Sequence, residues 1–371
     1  MRLLRGSLEV VATKLQRAKP LEVTTPTAVI GVRGTEYRVR HADAGSGTEV
    51  LEGRVQADVG EQGVALAGGF GAALQPGQAP RAVPLLPPPD LSTLPARVER
   101  PLIRLRFPGA EPVRVQLAAD EGFSRIVRDE RVPAGGELRV TGLDDGTWQL
   151  RARRIDAAGI EGRDARATVV LKARPEPPAA MAPADRGKAM VGEVRFAWAE
   201  NTEAAAYRLE VASDAAFRQV LLRQDGLRGG SAVLRLDEPG PLWWRLASVR
   251  ANGDAGPWGD PQTLELRAQP SPPQASMDAD RLSLAWSGRP GDRQQVQLAR
   301  DPSFSQPETE ATLDQPSWLI ARPSQPGTVY FRYRSVEPDG FTTPWSSTLK
   351  LEIPRDWRDA GWLLLPLLLV L

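Results

Sequence analysis

One nine-residue stretch of this chain is written three times, and that repetition limits the possible folds more than any other feature. Val115-Gln-Leu-Ala-Ala-Asp-Glu-Gly-Phe123 returns as Leu209-Glu-Val-Ala-Ser-Asp-Ala-Ala-Phe217 and as Val296-Gln-Leu-Ala-Arg-Asp-Pro-Ser-Phe304, with the phenylalanines 94 and then 87 positions apart. The same two offsets relate Gly146, Gly240 and Gly327, and again Gly159, Gly253 and Gly340. Self-similarity at a fixed period marks a tandem array of one structural unit.

Between those glycines the residues alternate. Trp148, Leu150 and Ala152 fall on one face of an extended segment, with Gln149 and Arg151 on the other. Leu242, Trp244 and Leu246 match them opposite Trp243 and Arg245, as do Val329, Phe331 and Tyr333 opposite Tyr330 and Arg332. A period of two with one apolar face predicts a sheet packed on one side. Short strands punctuated by Asp-Gly and Pro-Gly turns, in units of about 85–95 residues, predict three tandem β-sandwiches. The expected fold class is therefore all-β.

Composition agrees and excludes several functions. The 371 residues include 34 Gly and 34 Pro, yet 41% are hydrophobic, as in a folded, turn-rich chain. Lys and Arg number 47 against 46 Asp and Glu, a net charge of +1 without the basic excess of a nucleic-acid binder. Cysteine is absent, which rules out a disulfide framework and thiolate metal sites.

Proline-rich runs at Pro84–Asp90, Arg174–Pro178 and Gln269–Pro273 punctuate the chain. They divide it into an N-terminal β domain (1–83), a linker (84–99), a first sandwich (100–173), a linker with a second sandwich (174–268), a linker with a third (269–354), and a tail (355–371). Proline favours extended, semi-rigid spacing, so the linkers predict an elongated array with limited hinge freedom.

The second unit, with Phe196-Ala-Trp198, Tyr207-Arg-Leu-Glu-Val211 and Trp244-Arg-Leu-Ala-Ser-Val249, resembles fibronectin type III domains. The third keeps Leu284-Ala-Trp286 and Phe331-Arg-Tyr-Arg-Ser-Val336. The first has Phe107 where the tryptophan would stand.

The segment from Val23 to Val39 carries the sharpest motif. Pro26, Gly31 and Gly34 punctuate short strands, with Gly34 expected at a tight turn or close approach. Thr25, Pro26, Ala28, Val32, Arg33, Gly34 and Thr35 form a Thr-Pro-x-Ala-x-x-x-Val-Arg-Gly-Thr run that resembles the terminal part of the FecR domain. The resemblance implies that residues 1–83 are a partial FecR-like β domain, whose earlier strands would precede residue 1. It also implies a bacterial cell-envelope protein, in the periplasm or at the cell surface. Regulators in that family carry a cytoplasmic anti-sigma segment and a membrane helix ahead of this domain; residues 1–371 do not include them, so the resemblance does not lead to an expectation of anti-sigma activity.

No constellation predicts catalysis. The single histidine, His41, precedes a polar Ala-Asp-Ala-Gly-Ser-Gly stretch and reads as a surface-loop residue. Asp120-Glu121 and Asp144-Asp145 read as turn residues, favoured there for backbone reasons. No zinc, nucleotide or calcium motif appears, and no cofactor is expected. Trp258 and Trp345 follow the Gly253 and Gly340 turns, 87 positions apart. They are expected to lie over Arg245 and Arg332 as cation–π stacks of about 0.5–1 kcal/mol each. This resembles half of the Trp-Ser-x-Trp-Ser ladder of cytokine-receptor sandwiches. Two readings follow: a stack that stiffens the edge, or a sugar- or peptide-binding strip that adds Trp243 and Tyr330.

The chain ends in Trp362-Leu-Leu-Leu-Pro-Leu-Leu-Leu-Val-Leu371, wholly apolar but short of the roughly 20 residues of a membrane span. Membrane contact is the expectation for it. The leading functional expectation is a non-enzymatic envelope sensor or scaffold acting through protein or cell-wall glycan contacts. Two alternatives stand beside it: a regulator coupling a surface receptor to a sigma factor, and a carbohydrate-binding accessory.

Overall fold

The structure is a computed structural model that describes residues 1–11, 21–32, 36–42 and 45–355. Among these the regular structure is all strand, as the alternation predicts. No helix among them is long and apolar enough to cross a membrane. The apolar tail from Trp362 to Leu371 lies outside the described residues. The chain divides into two compact units, one ending at Glu176 and the other beginning at Pro177.

The first unit holds two sandwiches. The N-terminal one comprises β1 (Gly6–Val11), β2 (Leu21–Thr24), β3 (Val29–Val32), β4 (Glu36–Ala42), β5 (Gly45–Glu52), β6 (Arg54–Val59), β7 (Gln62–Ala67), β8 (Phe70–Leu74) and β9 (Val83–Pro84). Its sheets run β1-β4-β5-β8-β9 and β2-β3-β6-β7. Val23, Ile30, Tyr37, Val39, Val50 and Leu74 fill the space between them.

The Thr-Pro step has a mechanical reason. The buried Thr25 hydroxyl accepts the backbone N–H of Ala28 at 3.0 Å and closes the turn between β2 and β3. Pro26, exposed, sits inside that turn, where its fixed φ suits the bend. Two expectations need correcting. Gly31 lies within β3, paired with Glu22 and Gln56, because the strand's alternation simply continues through it. His41 lies in β4, not in a loop. The hairpin to β5 sets Ser46 opposite it, with His41 Nδ1 2.9 Å from the Ser46 hydroxyl. Arg33, Gly34 and Thr35 lie outside the described residues.

The first repeat comprises β10 (Arg97–Val98), β11 (Leu102–Arg106), β12 (Val113–Ala118), β13 (Ile126–Val132), β14 (Glu137–Thr141), β15 (Gly146–Arg154) and β16 (Ala165–Leu171). Its sheets are β10-β16-β15-β12-β13 and β11-β14. The stretch 84–99 is not a spacer, as its prolines suggested. Leu85 is buried and its N–H reaches the Gly69 carbonyl at 2.9 Å, while the Leu86 carbonyl accepts from Arg163 at 2.9 Å. Further on, β10 joins the first repeat's sheet, parallel to β16.

The second unit continues with β17 (Ala180–Ala182), β18 (Gly187–Met190), β19 (Gly192–Trp198), β20 (Ala206–Ala212), β21 (Val220–Leu227), β22 (Ser231–Leu236), β23 (Gly240–Val249) and β24 (Gln262–Arg267). The third repeat comprises β25 (Gln274–Met277), β26 (Arg281–Ala285), β27 (Arg293–Ala299), β28 (Thr309–Leu313), β29 (Ser317–Ala321), β30 (Gly327–Val336) and β31 (Leu349–Ile353). Sheets β17-β19-β22 and β18-β24-β23-β20-β21 face each other over Phe196, Trp198 and Trp244. Sheets β25-β26-β29 and β28-β27-β30-β31 do so over Trp286, Phe331 and Tyr333.

The register fixes the correspondence between repeats. Gln116 pairs with Arg151, Glu210 with Arg245, and Gln297 with Arg332, at the two sequence offsets. The array is one sandwich made three times.

Candidate functional site

Each repeat aims an arginine out of the middle of its central strand, Arg151, Arg245 or Arg332, because alternation places it opposite the core residues; the first and third add a second, Arg153 and Arg334. A turn then brings a ring over the mid-strand arginine. Phe123, Phe217 and Phe304 all occupy the left-handed region, with φ of 54°, 55° and 54°. A side chain there is strained by roughly 1 kcal/mol or more. An aspartate three residues earlier holds each turn. Asp120 accepts the N–H of Ser124 and Arg125, Asp214 that of Gln219, and Asp301 that of Ser303. The Ser303 hydroxyl and the backbone around Asp301 hold that carboxyl down at about 2.

The result is a guanidinium over each ring. Arg151 stands 4.4 Å from the Phe123 centroid, Arg245 3.9 Å from Phe217, and Arg332 4.0 Å from Phe304. In the second and third repeats a tryptophan adds a second ring, 4.6 Å from Arg245 to Trp258 and 4.5 Å from Arg332 to Trp345. The segment carrying it hydrogen-bonds back onto the central strand, through Gly256 to Ser248 and Gly259 to Leu246, and through Thr343 to Ser335 and Ser346 to Tyr333. That pairing fixes the indole above the arginine. Both tryptophans remain half-buried.

Trp243 and Tyr330 share the arginines' outward face by alternation, but among the described residues neither ring joins a stack. The sequence reading missed the phenylalanines as second rings. It also missed Arg334, 4.6 Å from Trp345, and Arg208, 5.5 Å from Trp258. The shared offset was a signal for the phenylalanines, since Phe, Arg and Trp recur together, but not for Arg334 and Arg208, whose counterparts are Ala247 and Gln295.

The first repeat departs from this scheme. Asp164 holds the position of Trp258 and Trp345, and here the face is covered by the N-terminal sandwich. Arg38 of β4 reaches Asp164 at 3.3 Å and the Gly162 carbonyl at 2.7 Å. Arg40 donates to the Gly159 carbonyl. Arg151 pairs with Glu9 of β1 at 2.7 Å, and Arg114 with Glu161 at 2.9 Å. Arg153, buried, pairs with Glu161 at 3.1 Å and lies 3.2 Å from Asp164. Glu49 of β5 accepts the Glu161 N–H at 3.1 Å, and burial pushes its carboxyl up to about 7. Ile160 inserts against Gly71, where a Cβ would come within 2.7 Å of its methyl group.

Glu9, Arg38, Arg40, Glu49, Arg114, Arg151, Arg153 and Glu161 line a cleft of about 580 Å³ within the first unit. Among the described residues no group of three or more histidine or acidic side chains is placed to hold a metal ion.

Residues 1–56 match the family model for FecR protein. Among solved structures the chain is similar to the FN1–FN3 domains of chicken CNTN1, at 12% identity and a TM-score of 0.28, over 73% of this chain and all of that one. It is also similar to a two-domain fibronectin type III segment from chicken tenascin, at 14% identity and a TM-score of 0.26, over 48% of this chain and 99% of that one. No curated protein matches the chain.

Proposed function

We propose that this chain is a non-enzymatic sensor or scaffold of the bacterial cell envelope, working through protein or glycan contacts on the outward sheet faces of its second and third repeats. One observation carries the reading. The same face of the first repeat already serves as a contact face, taken by the N-terminal sandwich through Arg38, Arg40 and Glu49. The second and third repeats present there a half-buried tryptophan over an arginine, two residue types enriched at interfaces. The envelope placement rests on the FecR match over residues 1–56.

The test replaces Trp258 and Trp345 by Ala together in the full chain. Binding to isolated cell-wall glycan and to purified envelope proteins should fall at least tenfold, with melting lowered by a few degrees. Unchanged binding beside a large fall in melting would make the stacks purely structural.

The FecR match also favours a second reading, a regulator coupling a surface receptor to a sigma factor. It predicts a cytoplasmic segment encoded upstream of Met1, which the genomic DNA immediately 5′ of the start would reveal.

A further inference from the structure

The three repeats differ in how they neutralise the outward guanidiniums. In the second, Glu210 lies across the strand from Arg245 and takes its Nε and Nη2 at 2.9 and 2.7 Å. The position of Arg153 and Arg334 is Ala247 there, so Arg245 is the one guanidinium its central strand presents, and Glu210 meets it together with Arg223 of the neighbouring strand, at 3.4 Å. In the first repeat the cross-strand residue is Gln116, which accepts from Arg151 Nε at 2.7 Å. The missing carboxylate arrives from another module: Glu9 of β1, 2.7 Å from Arg151. The neighbouring Arg153 is met by Glu161 and Asp164.

The third repeat shares the first repeat's glutamine opposite the arginine and has Gln295 where the first has Arg114. Gln297 accepts from Arg332 Nε at 2.7 Å, and Gln295 from Arg334 Nε at 2.7 Å. Gln297 also donates to Glu310, as Gln116 does to Asp129. Thr342 and Trp345 hold the places of Glu161 and Asp164. Among the described residues, no carboxylate comes within ion-pair distance of Arg332 or Arg334. Both guanidiniums lie against the one indole of Trp345. Burial and then the charge of Arg334 hold the Arg332 pKa below its ordinary value.

Two half-buried like charges on one ring repel, and a carboxylate placed between them would relieve both.

We propose that Arg332, Arg334 and Trp345 form a docking site for a carboxylate-bearing segment of a partner protein, received as the first repeat receives Glu9. This rests on the reading of the outward faces as contact faces and names what the third one takes. A protein segment is the occupant because the filled counterpart in the same chain is filled by a strand's glutamate. Arg332 stacked on Phe304 and Trp345 presents its free N–H groups to that carboxylate, and Trp345 supplies an apolar wall.

The probe is the peptide acetyl-(Thr-Glu)4-amide, labelled for fluorescence anisotropy, with acetyl-(Thr-Gln)4-amide as the neutral control, both added to the full chain. The acidic peptide should bind at least tenfold more tightly than the neutral one, and less tightly as salt rises. Arg332→Gln with Arg334→Gln should abolish that preference, while Arg235→Gln, which removes an exposed charge elsewhere, should leave it. Gln297→Glu made together with Glu310→Gln, which leaves a donor rather than a carboxylate facing the new side chain, supplies the counter-charge internally, as Glu210 does. It should raise the melting temperature and weaken the acidic peptide at least tenfold, a result that misfolding could not produce. Equal binding of both peptides, or full binding by a well-folded chain carrying Gln297→Glu and Glu310→Gln, would overturn the site. Equal binding that still needed Trp345 would leave the contact face standing and remove only its selectivity for carboxylates.

Discussion

The Arg245 guanidinium rests 3.9 Å from the centre of the Phe217 ring, and Phe217 reaches it only by adopting a left-handed backbone. The stack and the strain come as a pair in all three repeats. Arg245→Ala removes the guanidinium from between two rings and leaves the buried Glu210 with fewer donors. It should lower the stability of the second unit by about 1–2 kcal/mol. Arg245→Lys should recover less than half of that, because an ammonium lacks the planar fork. Thermal melts of the three proteins check both.

Phe217 offers an inverted Gly–Ala comparison. Where the backbone has an ordinary negative φ, alanine is the better replacement. Here the φ of 55° penalises any Cβ, so Phe217→Gly should be the more stable variant by about 1 kcal/mol. Urea titrations giving Phe217→Ala the advantage would show that the turn relaxes once the ring is gone.

At Gly71 the N-terminal sandwich receives Ile160 of the first repeat with no room for a side chain. A methyl group there would lie 2.7 Å from Ile160 Cγ2 and 2.9 Å from the Thr48 carbonyl. Gly71→Ala should destabilise the first unit by about 1–3 kcal/mol. It should also speed protease cleavage within 84–99, which is tied down by Leu85 and Leu86. Limited proteolysis followed by mass spectrometry reads the site.

Two buried carboxyls give the units opposite responses to pH. Burial raises Glu49 from an ordinary 4.5 to about 7, so the folded chain holds that proton more tightly. Its contribution is complete below pH 4.5 and lost as pH rises through 7. Hydrogen bonds from Arg267 lower Glu337 to about 2, so its contribution is complete above 4.5 and lost as pH falls toward 2. Glu49→Gln keeps the acceptor for the Glu161 N–H and should stabilise the first unit at pH 8 by at most about 3 kcal/mol, and hardly at all at pH 4. Glu337→Gln should destabilise the second unit at pH 7 and cost little near pH 2. Melting curves across that range compare the signs.

Much of the fold was legible because it rests on alternation. Leu150, Trp244 and Phe331 each announce a buried strand face, and the matched glycines announce its ends. The stacks were half legible: Trp258 and Trp345 stood out, whereas Phe123, Phe217 and Phe304 served only as markers of the repeat. Their outward placement depends on a left-handed turn that no propensity favours for phenylalanine. His41 looked like a loop residue because glycine and aspartate follow it, yet the hairpin pairs it with Ser46. The docking of the N-terminal sandwich was not legible. It depends on Arg38 and Glu49 meeting Asp164 and Glu161 from more than a hundred residues away, and nothing local marks those four as partners.

That docking is the precedent on which the contact-face account stands, and a double-mutant cycle between Arg38 and Asp164 in the full chain tests it most directly. Arg38→Ala, Asp164→Ala and the double variant, unfolded in urea, should give a coupling energy of about 1–3 kcal/mol, as expected for a buried charged pair in one network. Strictly additive losses would contradict the account, because they would mean that the first repeat's outer face does not hold the N-terminal sandwich.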